Sequence, residues 1–194
     1  MRRQLALAVA AAPRAAVDGR FERHVSYGRR ELTGSNSGGR WGPSGGYSVL
    51  YLGRPVASVT VEAYRHLVDP FADRGMTGEM VAPRRLLICE VAVTNVLDLR
   101  SRTAQVAVGL TDADLTSPVG EYEPCQEVGR VTHQLGLHGV LAPAATGLGE
   151  TLALFEQHLP ASELPTLIEE EVWDGLPDDP RRLRLVGDEE APGR

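Results

Sequence analysis

Three polar side chains spaced eleven residues apart are the part of this sequence best suited to chemistry. The glycine-rich turn GGRWGP over residues 38–43 carries Arg40, a predicted strand carries Tyr51, and a predicted helix carries Glu62. A guanidinium binds phosphate through paired N–H donors, and an aromatic ring stacks on a flat heterocycle. A carboxylate stabilises a ribose that becomes cationic as its base departs. Together these groups predict a pocket for a nucleotide-like substrate.

The same residues also have ordinary structural explanations. Arg40 lies in a predicted surface loop, and Tyr51 lies in the predicted core of a strand. On a helical wheel Glu62 falls on the polar arc, near Arg65 and His66, opposite a stripe of valine, alanine and leucine. That position is typical of a solvated helix residue. Spacing alone therefore leaves a structural and a functional interpretation open.

The composition predicts one soluble domain and excludes several kinds of chemistry. A chain of 194 residues with 42% hydrophobic and 24% charged residues is long enough for a single core. All 20 basic residues are arginine, which excludes Schiff-base lysines and the lysine of phosphate-binding P-loops. The formal net charge of −6 gives no sign of a basic face, so we expect no direct binding to nucleic acid.

No metal site, disulfide framework or membrane span is predicted. Cys89 and Cys125 lie far apart, and the five histidines lack the spacing of zinc ligands. Free cysteines are typical of a reducing compartment, which predicts a cytoplasmic protein. The first twelve residues resemble a signal peptide, but the apolar run is short and ends at Pro13, which favours a helix packed on the domain. No stretch approaches the roughly 20 apolar residues of a membrane span.

Periodicity and turn residues predict helices and strands in mixed order. We predict helices over residues 4–17, from Pro55 onward, over 101–108 and over 123–135, and strands over 21–27, 47–52, 85–96, 140–141, 151–155 and 167–172, with long loops over 28–46 and 69–82. This order favours the α+β class, with a single domain whose mixed, partly antiparallel sheet is flanked by helices. The predicted division is a helical segment over 1–19, a domain over 20–176 and an exposed tail over 177–194.

Two sequence blocks resemble a known family. The first joins the turn at residues 38–43 to LYL at 50–52 and to a helix bearing Glu62, and FERH at 21–24 resembles the family's opening strand with its own arginine. The second reads HGVLAPAA at 138–145, followed by LALF at 152–155. These blocks, which span residues 20–160, resemble the RES domain family, named for an arginine, a glutamate and a serine.

The resemblance implies a fold similar to ADP-ribosyltransferases and an enzyme that consumes NAD as a substrate, with no prosthetic group. RES proteins are typically bacterial toxins that break the nicotinamide–ribose bond and pass ADP-ribose to water, phosphate or a protein. The implied activity is therefore that of an NAD glycohydrolase, a phosphorylase or an ADP-ribosyltransferase. The implied partner is an antitoxin with an Xre-like helix-turn-helix domain that blocks the active site. Homo-oligomerisation is left open.

The resemblance also implies roles for individual residues. Arg40 would bind the phosphates or ribose of NAD, and Arg23 would assist as a second cation. Tyr51 would line the nicotinamide pocket, and Glu62 would stabilise the ribosyl cation or hold its hydroxyls.

One position departs from the family pattern. Ala144 stands after Pro143 where the family has serine, so the hydroxyl expected in the substrate site is missing. The resemblance still implies that Ala144 contacts NAD, and Thr146, two residues later, is a candidate to replace the missing hydroxyl and to contact NAD as well. The departure supports an alternative function, in which the chain is a catalytically weakened RES fold that binds a nucleotide or a partner protein without turnover.

Overall fold

Helices and strands follow one another in mixed order along residues 2–182, the part of the chain that the computed structural model describes. In chain order they are α1 (Arg2–Ala11), β1 (Arg14–Ser26), β2 (Leu50–Arg54), α2 (Val56–Leu67), β3 (Arg84–Asp98), α3 (Arg102–Ala107), α4 (Asp112–Thr116), α5 (Glu123–Gln134), β4 (Gly139–Pro143), β5 (Glu150–Leu154) and β6 (Thr166–Trp173). Short 3-10 helices occupy Asp69–Arg74, Gly78–Met80, Glu156–His158 and Ala161–Glu163. None of the helices in this part of the chain is long and apolar enough to cross a membrane.

The strands form one mixed sheet whose hydrogen-bonded neighbours close into a ring. The order is β1-β2-β5-β4-β3-β6, and β1 also pairs with β3, so that five strands complete the circuit and β6 lies outside it. Strands β3 and β4 are parallel, and the other pairs are antiparallel. The α+β prediction, with its partly antiparallel sheet and flanking helices, is confirmed.

The ring has one thin junction, between β1 and β2. These strands pair only at Glu22 and Gly53, whereas β1 pairs with β3 from Arg14 to Ser26 and β2 pairs with β5 along its whole length. Beyond the junction the two strands separate, so the edges of residues 23–26 and 50–52 no longer bond to each other. The sheet therefore opens into a cleft at the level of Arg23 and Tyr51.

Helix α2 lies beside this cleft because its apolar side is buried elsewhere. Val59, Ala63 and Tyr64 pack into a cluster with Leu86 of β3 and Trp173 of β6. The helix begins directly after Pro55, a residue that tolerates the first turn of a helix. With its apolar stripe held by the sheet, α2 turns its polar arc toward the space between β1 and β2.

Several predicted boundaries were wrong, and the causes are local. The helix predicted over 4–17 ends at Ala11, and β1 begins at Arg14, because residues 14–20 pair with β3 instead of continuing a helix. The strand predicted from residue 47 begins at Leu50. Helix α4 was not predicted, although Thr111 and Asp114 form a capping box at its start.

The predicted division of the chain into three parts stays a prediction. β1 runs across the predicted boundary between residues 19 and 20. Much of the predicted tail lies outside the described residues. The long loop predicted over 28–46 contains only isolated bridges, of Ser35 with Val49 and of Gly39 with Gly42.

Candidate active site

A cavity of about 340 Å³ occupies the cleft between β1, β2 and α2. Its polar lining comes from β1, the glycine-rich turn, α2, the segment before α5 and the segment after β4. These lining residues include Glu22, Arg23, His24, Arg40, Tyr51, Glu62, Arg65, His66, Tyr122 and Thr146. The structure thus brings Arg23, Arg40, Tyr51, Glu62 and Thr146, all named from the sequence, to the wall of one cavity.

Arg40 joins the glycine-rich turn to α4 and to Ser117, the residue that follows it. Its Nη1 donates to the carbonyl oxygen of Asp114 at 2.7 Å and to Oγ of Ser117 at 2.8 Å, and its Nη2 donates to the carbonyl oxygen of Ser117 at 2.8 Å. The guanidinium also lies 4.6 Å from the ring centroid of Tyr122. A guanidinium has five N–H donors. Three are engaged in these bonds, and Arg40 also interacts with the side chain of Cys125, while the residue still lines the cavity.

Tyr51 forms a wall of the cavity and anchors the turn. Its hydroxyl accepts a hydrogen bond of 2.8 Å from the backbone N–H of Trp41. Gly39 lies against the same hydroxyl, because a Cβ there would come within 2.6 Å of it. Burial raises the pKa of Tyr51 well above its usual value, so the phenol stays neutral. We infer a positioning role for this phenol and no transfer of its proton.

Glu62 is half-buried on the arc of α2 that faces the cavity. Within residues 2–182 no donor is hydrogen-bonded to its carboxylate, which is therefore available to a substrate. Arg65, one turn later, donates from Nη1 to the carbonyl oxygen of Ala145 at 2.7 Å and holds the segment after β4 beside the helix. Arg65 was predicted on the same polar arc as Glu62 but not as part of the site.

The β1 wall contributes one charged and one neutral nitrogen group. Arg23 donates from Nη1 to the carbonyl oxygen of Thr33 at 2.7 Å. Nδ1 of His24 lies 3.1 Å from Nη2 of Arg84, and since arginine can only donate, the histidine carries its proton on Nε2. Burial, and then the charge of Arg84, lower the pKa of His24 to about 3. His24 is therefore a neutral imidazole at physiological pH.

Glu22 is a second carboxyl group in the cavity, and it was not predicted from the sequence. Its side chain is 9% exposed and its Oε2 atom has no hydrogen-bond partner in the structure. Burial raises its pKa, and the charges of Arg54 and then Arg20 oppose that shift. Glu22 pairs with Gly53 at the junction of β1 with β2. Its place in the cavity follows from this strand register, which local sequence patterns do not reveal.

Ala144 and Thr146 differ in their relation to the cavity. Ala144 is 4% exposed and is not among the residues that line the cavity, so its contact with the substrate stays a prediction. Thr146 does line the cavity, and its Oγ1 lies 2.9 Å from Oγ of Ser58 at the start of α2. A hydroxyl is therefore present on this wall, but it belongs to Thr146 and not to the position of Ala144, where the family pattern has serine.

Within residues 2–182, no three histidine, cysteine, aspartate or glutamate side chains are grouped to hold a metal ion. Cys89 and Cys125 are free and buried.

Comparisons with known proteins agree on one family and one fold. The RES domain family matches residues 12–175. The NAD(+) phosphorylase MbcT of Mycobacterium tuberculosis strain H37Rv is 31% identical over 145 residues, which cover 73% of this chain and 76% of the relative, and the protein of the same name from Mycobacterium bovis matches equally. The crystal structure of the M. tuberculosis MbcT–MbcA toxin–antitoxin complex contains a chain that matches with a TM-score of 0.75 and 27% identity, over 88% of this chain and 92% of that chain.

Proposed function

The chain belongs to the RES domain family, and on that premise we propose that it cleaves the nicotinamide–ribose bond of NAD and passes ADP-ribose to inorganic phosphate. The observation that carries the proposal is the convergence of Arg40, Tyr51 and Glu62 on one cavity, with the carboxylate unpaired. The name of the relative, an NAD(+) phosphorylase, supports phosphate as the acceptor in place of water or a protein.

In this mechanism the protein contributes a fixed negative charge and holds NAD in position. Arg40 binds a phosphate or ribose oxygen of NAD from the wall of the cavity, and Tyr51 bounds the nicotinamide. As the glycosidic bond breaks, its electron pair moves to the nicotinamide nitrogen and positive charge develops on the ribose. The fixed negative charge of Glu62 stabilises that charge more in the transition state than in bound NAD, which lowers the barrier.

We further propose that the chain is a bacterial, cytoplasmic toxin that is held inactive by an antitoxin. The support is its likeness to a chain of the MbcT–MbcA toxin–antitoxin complex. An antitoxin with an Xre-like helix-turn-helix domain, seated over the mouth of the cavity, would exclude NAD. Homo-oligomerisation stays open.

Nicotinamide release by the purified protein tests the proposed activity. With NAD and phosphate, we expect free nicotinamide to appear together with an equal amount of ADP-ribose 1-phosphate, measured by chromatography. Removal of phosphate should slow the release or divert the product to ADP-ribose. No nicotinamide release with or without phosphate would contradict the proposed enzyme.

The alternative, a weakened RES fold that only binds, rests on Ala144. Two substitutions test this alternative function. We expect Ala144→Ser to change kcat/KM by less than about threefold, because this buried side chain does not line the cavity. We expect Thr146→Val to lower kcat/KM about tenfold, because it removes the hydroxyl that does line it. A large gain of activity from Ala144→Ser would instead show that the native chain is weakened at this residue.

A further inference from the structure

The cleft closes at a carboxyl group that the proposed mechanism does not use. Glu22 lines the cavity and lies directly opposite Gly53, at the single pairing of β1 with β2. Val59 of α2 packs on that pair, because a Cβ at Gly53 would lie 3.1 Å from its Cγ2 atom. Leu52, Gly53 and Val59 line the cavity as well. Glu22 therefore lies at the closed end of the cleft, in apolar surroundings.

The carboxyl group of Glu22 lacks a hydrogen-bond donor. Its Oε2 atom is buried without a partner, and within residues 2–182 its Oε1 atom accepts no hydrogen bond either. Burial raises the pKa of Glu22, and the charges of Arg54 and Arg20 oppose that shift without forming an ion pair with it. An unpaired carboxylate that is 9% exposed costs free energy, and a ligand that donates N–H groups offsets that cost. Glu22 is therefore suited to a ligand with donors.

A donor lies two residues further along β1. His24 lines the cavity and, since its Nδ1 faces Arg84, presents the N–H of its Nε2 atom. Within residues 2–182 that N–H has no hydrogen-bond acceptor. Side chains two residues apart on a strand point to the same face, about 7 Å from each other along it. Strand β1 thus presents an unpaired acceptor and an unpaired donor on one face.

We infer that Glu22 and His24 recognise the carboxamide of the departing nicotinamide, an assignment that rests on the proposed function. A primary carboxamide carries two N–H donors and one acceptor oxygen. Its N–H groups donate to Glu22, and its oxygen accepts from Nε2 of His24. This pair makes the site selective for NAD. An analogue with a carboxylate in place of the carboxamide has no N–H to donate, and the charge of Glu22 repels it.

Strand register places this pair beside the nicotinamide. Tyr51, which bounds that ring in the proposed mechanism, precedes Gly53 by two residues and lies on the same face of β2. Because Glu22 is opposite Gly53, Glu22 and Tyr51 share one face of the sheet on neighbouring strands. Glu62 follows Val59 by three residues, about 4.5 Å along the axis of α2. The carboxylate assigned to the ribose thus lies outward of the closed end, and the ring on that ribose points inward to Glu22.

Glu22→Gln tests the assignment, with Asp18→Asn as its matched control. We expect the wild type to favour NAD over its deamidated analogue by about 100-fold or more in kcat/KM. Glu22→Gln should lower kcat/KM for NAD about tenfold and raise that for the analogue about tenfold, because the new amide donates to the carboxylate. A gain of activity cannot result from loss of the fold.

Asp18 is matched to Glu22 in position and charge. It is exposed on the same strand, it does not line the cavity, and its substitution removes one negative charge. Asp18→Asn should change kcat/KM for NAD and for the deamidated analogue by no more than about twofold.

His24→Leu tests the donor of the pair. The N–H of His24 meets an oxygen in the carboxamide and in the carboxylate alike, so kcat/KM for both dinucleotides should fall about tenfold and the preference between them should persist. An unchanged kcat/KM would overturn the role of His24. If the loss of this partner of Arg84 prevents folding, Glu22→Gln, which keeps the size of the side chain, still decides the assignment.

Adenine also carries an N–H₂ group beside an acceptor, and the hypoxanthine analogue of NAD separates the two ends of the substrate. Glu22→Gln should lower kcat/KM for NAD and for the hypoxanthine analogue by the same factor. A gain for the hypoxanthine analogue, in place of the deamidated one, would place Glu22 at the adenine and overturn the assignment.

Binding of the free base gives a readout that is independent of turnover. In calorimetric titrations the wild type should bind nicotinamide about tenfold more tightly than nicotinate, and Glu22→Gln should lose that preference. Similar cleavage of NAD and its deamidated analogue by the wild type, or equal losses for both in Glu22→Gln, would overturn the carboxamide site while leaving NAD cleavage intact. A preference for nicotinamide that depends on Glu22, in a protein that does not cleave NAD, would support the site and contradict the proposed enzyme.

Discussion

Glu62→Gln should reduce kcat for nicotinamide release by about 10³-fold and leave the KM for NAD nearly unchanged. The substitution keeps the size of the side chain but removes the fixed charge that stabilises the ribosyl cation. Because that charge contributes mainly in the transition state, the loss appears in kcat. No donor among the described residues binds this carboxylate, so the amide breaks no contact that holds the fold, and a change in melting temperature is not expected.

Initial rates over a range of NAD concentrations, at saturating phosphate, measure this effect. Glu79→Gln is a suitable control, since Glu79 is exposed and does not line the cavity. If the Glu62→Gln protein keeps more than about a tenth of the wild-type kcat, the proposed stabilisation of the ribosyl cation by Glu62 is contradicted. Stabilisation would then have to come from the other cavity carboxyl, Glu22.

The sequence allowed the site to be predicted where local rules apply. The turn, strand and helix that carry Arg40, Tyr51 and Glu62 follow from glycine, β-branched and helical patterns, and their order along the chain makes convergence feasible. The polar arc of α2 was also visible. Whether that arc faces bulk water or a cavity depends on what lies opposite, and the helical wheel does not contain that information.

The rest depends on long-range register. The ring closes because β1 pairs with two strands, and its single contact with β2 at Glu22 and Gly53 opens the cleft. No pattern within β1 shows that its pairing on one side stops after one residue. The hydrogen bonds of Arg40 to Asp114 and Ser117 join residues more than 70 positions apart. For that reason the structural role of Arg40 could not be predicted from local sequence patterns either.

Gly129→Ala should destabilise the protein by about 2 kcal/mol or more, although alanine favours helix over glycine by roughly 1 kcal/mol. Gly129 lies in α5, and a Cβ there would collide with the carbonyl oxygen of Trp41 and come within 2.9 Å of its carbonyl carbon. Trp41 cannot move away freely. It is 1% exposed, its oxygen accepts a bond of 2.8 Å from the hydroxyl of Tyr47, and its N–H donates to Tyr51.

Urea unfolding and thermal melting measure the cost, and a fall in melting temperature of about 4–8 °C corresponds to it for a chain of this length. Gln134→Ala is the control, because it places alanine at an exposed position of the same helix and should stay within about 0.5 kcal/mol of wild type. Equal or greater stability of Gly129→Ala would mean that the turn can retreat from α5. Since Arg40 adjoins Trp41, displacement of the turn should also raise the KM for NAD in the folded variant, which links the packing of one helix glycine to the binding of the substrate.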